Sequence, residues 1–491
     1  MSTRKFRSLG LVGIGVAAGI MISLGISAVA QRGTPLPLEE LRQFTSVFAA
    51  IKNNYVEPVS DKTLIDGAIT GMLSDLDPHS AYLDADAFRD MQTATQGEFG
   101  GLGIEVGTED GFVKVISPIE DTPAARAGIR AGDLIVKIDD TSTKGMTLPD
   151  AVKLMRGAPK TPIVLTVMRE GLAQPLTIQI ERDIIKVRSV RSKMLDDNIG
   201  FVRIAQFQEK TGADLVRHLN ELGAKGAPRA LVLDLRNDPG GLLTSAIGVS
   251  AAFLPPDVPV VSTDGRVPDS RRKYVANPAD FARAERNYLA DLPGWAKTVP
   301  MVVLVNVGSA SASEIVAGAL QDHGRAKVVG NRTFGKGSVQ VILPLSTDTA
   351  IKLTTSRYYT PKGRSIQATG IEPDIVVADT AEGDLFRLPR EADLQRHLSN
   401  QQNPDGEIKS VLDPNAPDAP KMFEFGSAED FQLRQAINVL NGKPVEQAKT
   451  PARQAAAPAK GAVPAAARPE APASKAERLK ITPNGVEQPA R

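Results

Sequence analysis

The chain contains no cysteine, which excludes a thiol nucleophile, disulfide bonds and a thiolate-held metal. No charge of one sign is in excess either, since 58 Lys and Arg stand against 57 Asp and Glu for a net +1. That balance gives no reason to expect nucleic acid or a strongly acidic substrate. Histidine is scarce: four in 491 residues, no two at a metal-ligand spacing. His79, in the turn Asp77-Pro78-His79-Ser80, therefore reads as a loop residue, and His218 and His397 fall in helical patterns as surface residues. Neither a metal nor another cofactor is expected.

One long uncharged run is present. Arg4, Lys5 and Arg7 precede Ser8 to Ala30, which ends Ala28-Val29-Ala30 before Gln31, the small-x-small pattern of a signal peptidase site. About 20 apolar residues also suffice to cross a bilayer uncleaved. Either outcome places the rest of the chain outside the cytoplasm, so the expectation is an exported, periplasmic protein, cleaved or anchored to the inner membrane by residues 8–30.

The chain is organised around Met301 to Gln340. Met301 to Val305 is a continuous apolar run and reads as a buried strand. Gly308-Ser309-Ala310-Ser311-Ala312-Ser313-Glu314 follows, small residues that turn the backbone and expose a hydroxyl. A helix starts by Ile315, with Ser311 or Ser313 at its cap and Glu314 in its first turn. Free N–H groups at such a terminus are where an oxyanion is stabilised. Farther on stands Phe334-Gly335-Lys336-Gly337-Ser338-Val339-Gln340.

Gly330 to Lys336 matches the first seven positions of a phosphate-binding loop, which raises a nucleotide site as an option. The eighth position lacks the required hydroxyl, being Gly337, and the alternation that follows predicts a strand where that motif needs a helix. The other chemistry these residues offer is a serine nucleophile with a lysine base. Lys336 then has to be desolvated, lowering its pKa from about 10.4 towards 7 to 8, a bias of roughly 4 kcal/mol. Strand periodicity places Lys336, Ser338 and Gln340 on one face, from which the Gln340 amide orients the lysine. A Ser-His-Asp triad fits poorly, because the neighbours Asp322 and His323 point in different directions.

Asn306-Val-Gly-Ser-Ala-Ser311-Ala-Ser-Glu-Ile, Ala317-Gly-Ala-Leu, Arg325-Ala and Thr333-Phe-Gly-Lys336-Gly-Ser-Val-Gln340 resemble the signature of the carboxy-terminal processing (tail-specific) serine proteases. Residues from about 35 to 440 share the resemblance. It implies Ser311 as nucleophile and Lys336, 25 positions later, as base, with Gln340 as third member. It further implies an oxyanion hole from the Ala312 amide and from Gly240 or Gly241 in the turn Arg236-Asn-Asp-Pro-Gly240-Gly241. Asp238 departs from the Asn common there, and Asp234 and Arg236 read as turn-fixing. The Asp77-Pro-His79-Ser80-Ala-Tyr82-Leu83 turn and Gly370-Ile-Glu-Pro-Asp-Ile375 are further matching pieces.

Length suggests about three domains. Residues 35–95 read as helical, with Leu41, Phe44, Phe48 and Ile51 on one face and Leu64 to Leu76 forming a second helix. Residues 97–183 resemble a PDZ domain in the order Gly-rich turn, strand and later helix. A peptide would join the edge strand there, with Gly101, Leu102, Gly103 and Ile104 taking its carboxylate and Ala151, Leu154 and Met155 lining the groove. Arg169 is the candidate link between an occupied PDZ domain and the catalytic domain. Alternating strands and helices over 186–380 predict α/β layers. Asp264 to Trp295 reads as an excursion from that core, with solvated basic residues from Arg271 to Arg286. A loosely helical section, Asp384 to Leu398 and Glu429 to Leu440, occupies 381–440, and the Ala/Pro-rich stretch 441–491 reads as disordered.

The expected fold is thus α/β: a crotonase-like catalytic domain with an inserted PDZ-like β-rich domain and helical amino- and carboxy-terminal sections. The expected function is a serine endopeptidase acting on proteins with apolar carboxy-terminal tails, with an adaptor or activator and a homo-oligomer through the terminal helices as further partners. An inactive PDZ scaffold is the alternative.

Overall fold

The computed structural model describes residues 36–109, 111–119, 121–172, 174–282, 287–386, 388–410 and 423–449. The apolar run at 8–30, Arg283, Arg286 and the Ala/Pro-rich stretch from 450 onward lie outside the described residues. Two units divide the chain after Leu76. The first holds α1 (Leu38–Asn54) and α2 (Asp61–Ser74), and Ser60 caps α2 by accepting the Thr63 N–H at 3.1 Å. Leu41, Phe44, Val47 and Ile51 form an exposed apolar stripe along α1.

The second unit opens with β1 (Ala81–Leu83), α3 (Ala85–Gln96) and β2 (Glu98–Gly101). Asp84 caps α3, and Gly97 ends it at a φ of 73° that a side chain would resist. The inserted module comprises β3 (Ile104–Glu109), β4 (Phe112–Pro118), β5 (Leu134–Ile138), β6 (Thr141–Ser142), α4 (Leu148–Met155), β7 (Pro162–Met168) and β8 (Leu176–Glu181). Its sheet runs β3-β4-β5-β7-β8, leaving β3 at an edge. Val113, Val115, Ile135, Leu165 and Val167 alternate inward to form its core. The chain leaves through β9 (Asp183–Lys186), which pairs antiparallel with β2, so one two-stranded neck carries both ends of the module.

The α/β layers then follow in order: β10 (Val190–Leu195), β11 (Ile199–Ile204), α5 (Thr211–Gly223), β12 (Ala230–Asp234), α6 (Leu243–Phe253), β13 (Pro259–Gly265), β14 (Arg272–Val275) and β15 (Met301–Val305). After these come α7 (Ala312–Asp322), β16 (Lys327–Gly330), β17 (Ser338–Pro344), β18 (Ala350–Tyr359), β19 (Ile375–Val376) and α8 (Phe431–Leu440). The central sheet is β10-β11-β12-β15-β16-β19, parallel after its first antiparallel pair. Both faces of β12 and β15 are buried, which explains their unbroken apolar runs. Leu231, Leu233, Val303 and Val305 face the layer of α5, α6 and α7, whereas Val232, Val302 and Leu304 face α8. A second, antiparallel sheet runs β1-β18-β13-β14, with β17 also on β18.

Several expectations change. The described residues of 384–398 contain a single 3-10 turn at Glu391–Asp393 rather than a helix, and His397 lies outside it. The first residues of the supposed excursion belong to β13, which pairs with both β14 and β18. Chain order does not end at 440 either: Val445 and Ala448 pack beneath the central sheet, and the Lys449 N–H donates to the Ala381 carbonyl. Too few large apolar residues stand there to signal it, because the contact is supplied by a preformed layer.

Candidate active site

Strand β15 delivers the chain to Asn306, whose Oδ1 accepts the N–H groups of Asn237 and Gly308 and so ties two neighbouring strand ends together. The three serines of the turn separate by their bonds. Ser309 Oγ donates to the Leu235 carbonyl and Ser313 Oγ to the Asp238 carbonyl, both fully buried and both engaged in holding the turn. Ser311 is the N-cap of α7, at φ 56° and ψ −111°, a backbone region that a non-glycine residue occupies only when its surroundings impose it. The Ala312 N–H next to it, at the first turn of α7, donates no hydrogen bond among the described residues.

Glu314 imposes that conformation. Its Oε2 accepts the Ser311 N–H at 2.8 Å and the Lys336 N–H at 2.9 Å. Its Oε1 accepts the Thr333 hydroxyl at 2.6 Å and the Gly335 N–H at 2.7 Å. One fully buried carboxylate therefore joins the serine turn to the lysine turn across 22 positions of sequence. Burial pushes this carboxyl up to about 7, against the pull of those four donors. By sequence alone Glu314 is a first-turn acid, and the S-x-x-E spacing of a capping box is the signal that ties it to Ser311.

The Lys336 amine is held below the ordinary lysine range, chiefly by burial and then by the like charge of Lys352, with Glu391, Glu314 and Asp77 opposing. No hydrogen bond or ion pair to its Nζ is present among the described residues. Lys336 lies in the turn before β17, not on the strand, and the pairing register shifts between Val339 and Gln340. The expected contact from Gln340 to the lysine is therefore absent: the Gln340 amide donates to Ser338 Oγ at 3.0 Å and Thr354 Oγ1 at 3.1 Å. Thr354 Oγ1 in turn donates to Asp77 Oδ1, which also accepts the N–H groups of His79 and Ser80. His79 Nε2 meets Glu391 Oε2 at 2.8 Å. The turn at 77–80 is thus a neighbour of the lysine, through pairings that no local spacing foretells.

The remaining wall is the turn after β12. Gly240 adopts φ 95°, and a Cβ there would stand 2.8 Å from the Ala312 nitrogen and 2.9 Å from Ser311 Cβ, so only glycine admits this approach. The Gly240 N–H is engaged at 2.9 Å by Asp238 Oδ1, while the Gly241 N–H has no partner among the described residues. Burial pushes the Asp238 carboxyl up to about 8, and its Oδ2 is buried without a partner among the described residues, a position suited to a proton. A neutral Asp238 presents the same charge as the Asn expected there. Arg236, fully buried, is forked onto Asp234 (2.9 Å) and Asp430 (2.6 Å), which confirms its turn-fixing place.

His323 Nε2–H donates to the Pro259 carbonyl, and Asp322 is held by Arg364, both at the far end of α7 from Ser311. That placement leaves no Ser-His-Asp triad, in line with the poor fit of adjacent Asp322 and His323. The phosphate-loop option fails as well, since a strand follows Lys336.

In the inserted module, Gly101, Leu102, Gly103, Ile104 and Met155 line a groove of about 140 Å³ together with Val152. Ala151 and Leu154 do not. Ala151 is fully buried in the module core, and Leu154 is turned outward at 39% exposure, because the helix presents the i and i+3 pair 152 and 155 to the groove. Arg169 bonds Asp133 twice, at 2.7 and 2.8 Å, and the Gly128 carbonyl, so it braces the module internally instead of reaching the catalytic layers.

Comparisons with known proteins agree with these features. Residues 198–377 match the model of peptidase family S41, residues 114–169 that of the PDZ domain, and residues 25–87 that of the activating protease CtpB N-terminal domain. The carboxy-terminal-processing protease of Bartonella bacilliformis is 43% identical over 438 residues, 87% of this chain and 95% of that protein. The carboxy-terminal processing protease CtpA of Bacillus subtilis is 33% identical over 360 residues, 73% of each. A solved photosystem II D1 C-terminal processing protease is 30% identical, covering 68% of this chain and 86% of that one with a TM-score of 0.39. The protein is a serine-type peptidase that carries a PDZ domain. It belongs to peptidase family S41, among the carboxy-terminal processing proteases.

Proposed function

We propose that the chain is an endopeptidase in which Ser311 is the nucleophile and Lys336 its base, and that the PDZ groove captures the substrate's carboxy-terminal tail. The observation that carries this reading is the Glu314 carboxylate, which draws the backbone of Ser311 and that of Lys336 onto one atom. Ser311 Oγ attacks the scissile carbonyl carbon while its proton passes to the neutral Lys336 amine. The resulting oxyanion is received by the N–H groups of Ala312 and, since the Gly240 N–H is engaged, of Gly241. On collapse the C–N bond breaks and Lys336 returns the proton to the leaving amine. Water then adds to the acyl-serine with Lys336 again as base, and the acid product leaves. Gln340 acts through Ser338 and Thr354 on the wall beside the lysine, a positioning role.

The layered sheet with the serine on the α7 terminus supports a crotonase-like catalytic domain. The charged start and apolar run at 8–30 support export to the periplasm, with or without an anchor. The exposed apolar stripe of α1 supports self-association through the amino-terminal helices. The inactive scaffold loses support because the serine and the lysine are both present, and the lysine is desolvated as a base requires.

The test is cleavage of an unstructured protein with an apolar tail, from about pH 6 to about pH 9, by the wild type and by Ser311→Ala and Lys336→Ala. The wild-type rate rises with pH along a limb whose midpoint lies below that of a free lysine, and each variant loses at least about a thousandfold. Undiminished cleavage by Lys336→Ala would overturn the assignment.

A further inference from the structure

Two cavities meet at a shared wall of the PDZ module. The groove of about 140 Å³ is walled by Phe99 and Arg156, and the same two residues wall a cleft of about 680 Å³ between α3 and α4. Arg156 is the residue immediately after α4, and the N–H of the next residue, Gly157, donates to the Gly100 carbonyl, which sets this end of the helix beside the turn at Gly101 to Gly103. Its guanidinium lies over the Phe99 ring, 5.2 Å from the centroid, and pairs through Nη1 with Asp90 of α3. Its Nε is buried with no hydrogen-bond partner among the described residues. One turn earlier, Lys153 pairs with Asp86 of α3 at 2.5 Å.

The groove itself is ready for an extended peptide. Strand β3 is a free edge, and the N–H groups of Leu102 and Gly103 donate no hydrogen bond among the described residues. What those amides lack is a full positive charge opposite a terminal carboxylate. Arg156 is the only cation lining the groove among the described residues, and its hold on Asp90 is weak. Both partners are partly exposed, the side chains at 39% and 65%, and such pairs contribute about 0 to 1 kcal/mol. A carboxylate that also receives the loop amides outcompetes Asp90 for the same guanidinium.

We propose that Arg156 is the carboxylate receptor of the PDZ groove and that a bound tail takes the place of Asp90, so that capture unfastens α3 from the carboxy-terminal end of α4. This rests on the reading that the groove captures tails. The exchange connects the groove to the catalytic layers along the chain, because α3 follows directly on β1, a strand of the sheet that contains Gln340. Loss of the Asp90 pair leaves Lys153–Asp86 as the remaining ion pair between α3 and α4 among the described residues.

The experiment measures binding to the full chain carrying Ser311→Ala, by fluorescence polarisation. The probe is a labelled peptide ending Ala-Leu-Val, once with a free carboxylate and once as the terminal amide. Arg156→Gln weakens the acid peptide about tenfold and leaves the amide peptide unchanged, and Arg156→Lys restores part of the loss. Asp90→Asn tightens the acid peptide about threefold, since the competitor is gone. If the wild type prefers the acid peptide and Arg156→Gln binds it equally well, or weakens both peptides alike, the receptor assignment is overturned while tail capture stands. An unchanged affinity in Asp90→Asn overturns the exchange. Should the wild type bind neither peptide, tail capture and the proposal fall together.

Discussion

Asp238 sits two positions before Gly240 and accepts that residue's N–H, so its protonation state reaches the wall of the candidate oxyanion site directly. Burial raises it from the ordinary carboxylate range to about 8. Between those limits the folded chain carries one proton more than the unfolded chain, so this group's contribution makes stability fall as pH rises. The slope is at most about 1.4 kcal/mol per pH unit from one such group. Asp238→Asn removes the titration and keeps the acceptor. Urea unfolding from about pH 5 to about pH 8 is therefore expected to show the wild type losing stability relative to Asp238→Asn as pH rises, with cleavage near pH 7 within about twofold. A pH-independent difference between the two would mean that Asp238 is ionised throughout. Legibility at this scale is uneven. Ser311 and Lys336 are legible as candidates because each stands in a short run of small residues that resembles a family signature. Glu314 was visible only as a helix-start acid, since its partners Thr333, Gly335 and Lys336 come from another turn.

Among the elements, the β2–β9 neck decides how the PDZ module can be manipulated. Gly101 stands opposite Asp183 in that ribbon, so a short glycine turn can join them in place of residues 102–182. The catalytic layers keep their own core, which the module's core does not share. The shortened protein is expected to fold cooperatively and to cut a generic unfolded substrate. Its preference for an apolar tail over the same tail ending in the amide is expected to vanish, as comparison of cleavage rates will show. A retained preference would place tail recognition outside the module. The strands and helices of these layers were legible because β12 and β15 are unbroken apolar runs and α5 is amphipathic. The stretch 384–398 misled, since its apolar spacing imitates a helix while its backbone is used to wrap Glu391 and Arg390 around the lysine turn.

For the molecule as a whole, the two halves of the catalytic domain are pinned by charge. Arg236, on the chain just before the glycine turn, is shared between Asp234 and Asp430, the residue that caps α8. Phe425 covers the guanidinium face at 4.5 Å. Asp430→Ala leaves a buried guanidinium with one carboxylate and uncaps α8, and is expected to cost about 3–5 kcal/mol by urea unfolding. Cleavage is expected to fall with it, because the turn carrying Gly240 and Gly241 follows directly on Arg236. Full stability in that variant would show that α8 docks through its apolar face alone.

Sequence by itself determined the main strands and helices of the α/β layers, the membership in a protease family, and Ser311 and Lys336 as the candidate pair, because periodicity and turn chemistry act over a few residues. Tertiary structure decided which carboxylate joins those two turns, that Gln340 faces Thr354 instead of the lysine, that Asp238 is driven towards its neutral form, and that Asp430 closes on Arg236 across 194 positions. Each of these depends on burial and on partners brought from distant parts of the chain, and neither is encoded in any local pattern.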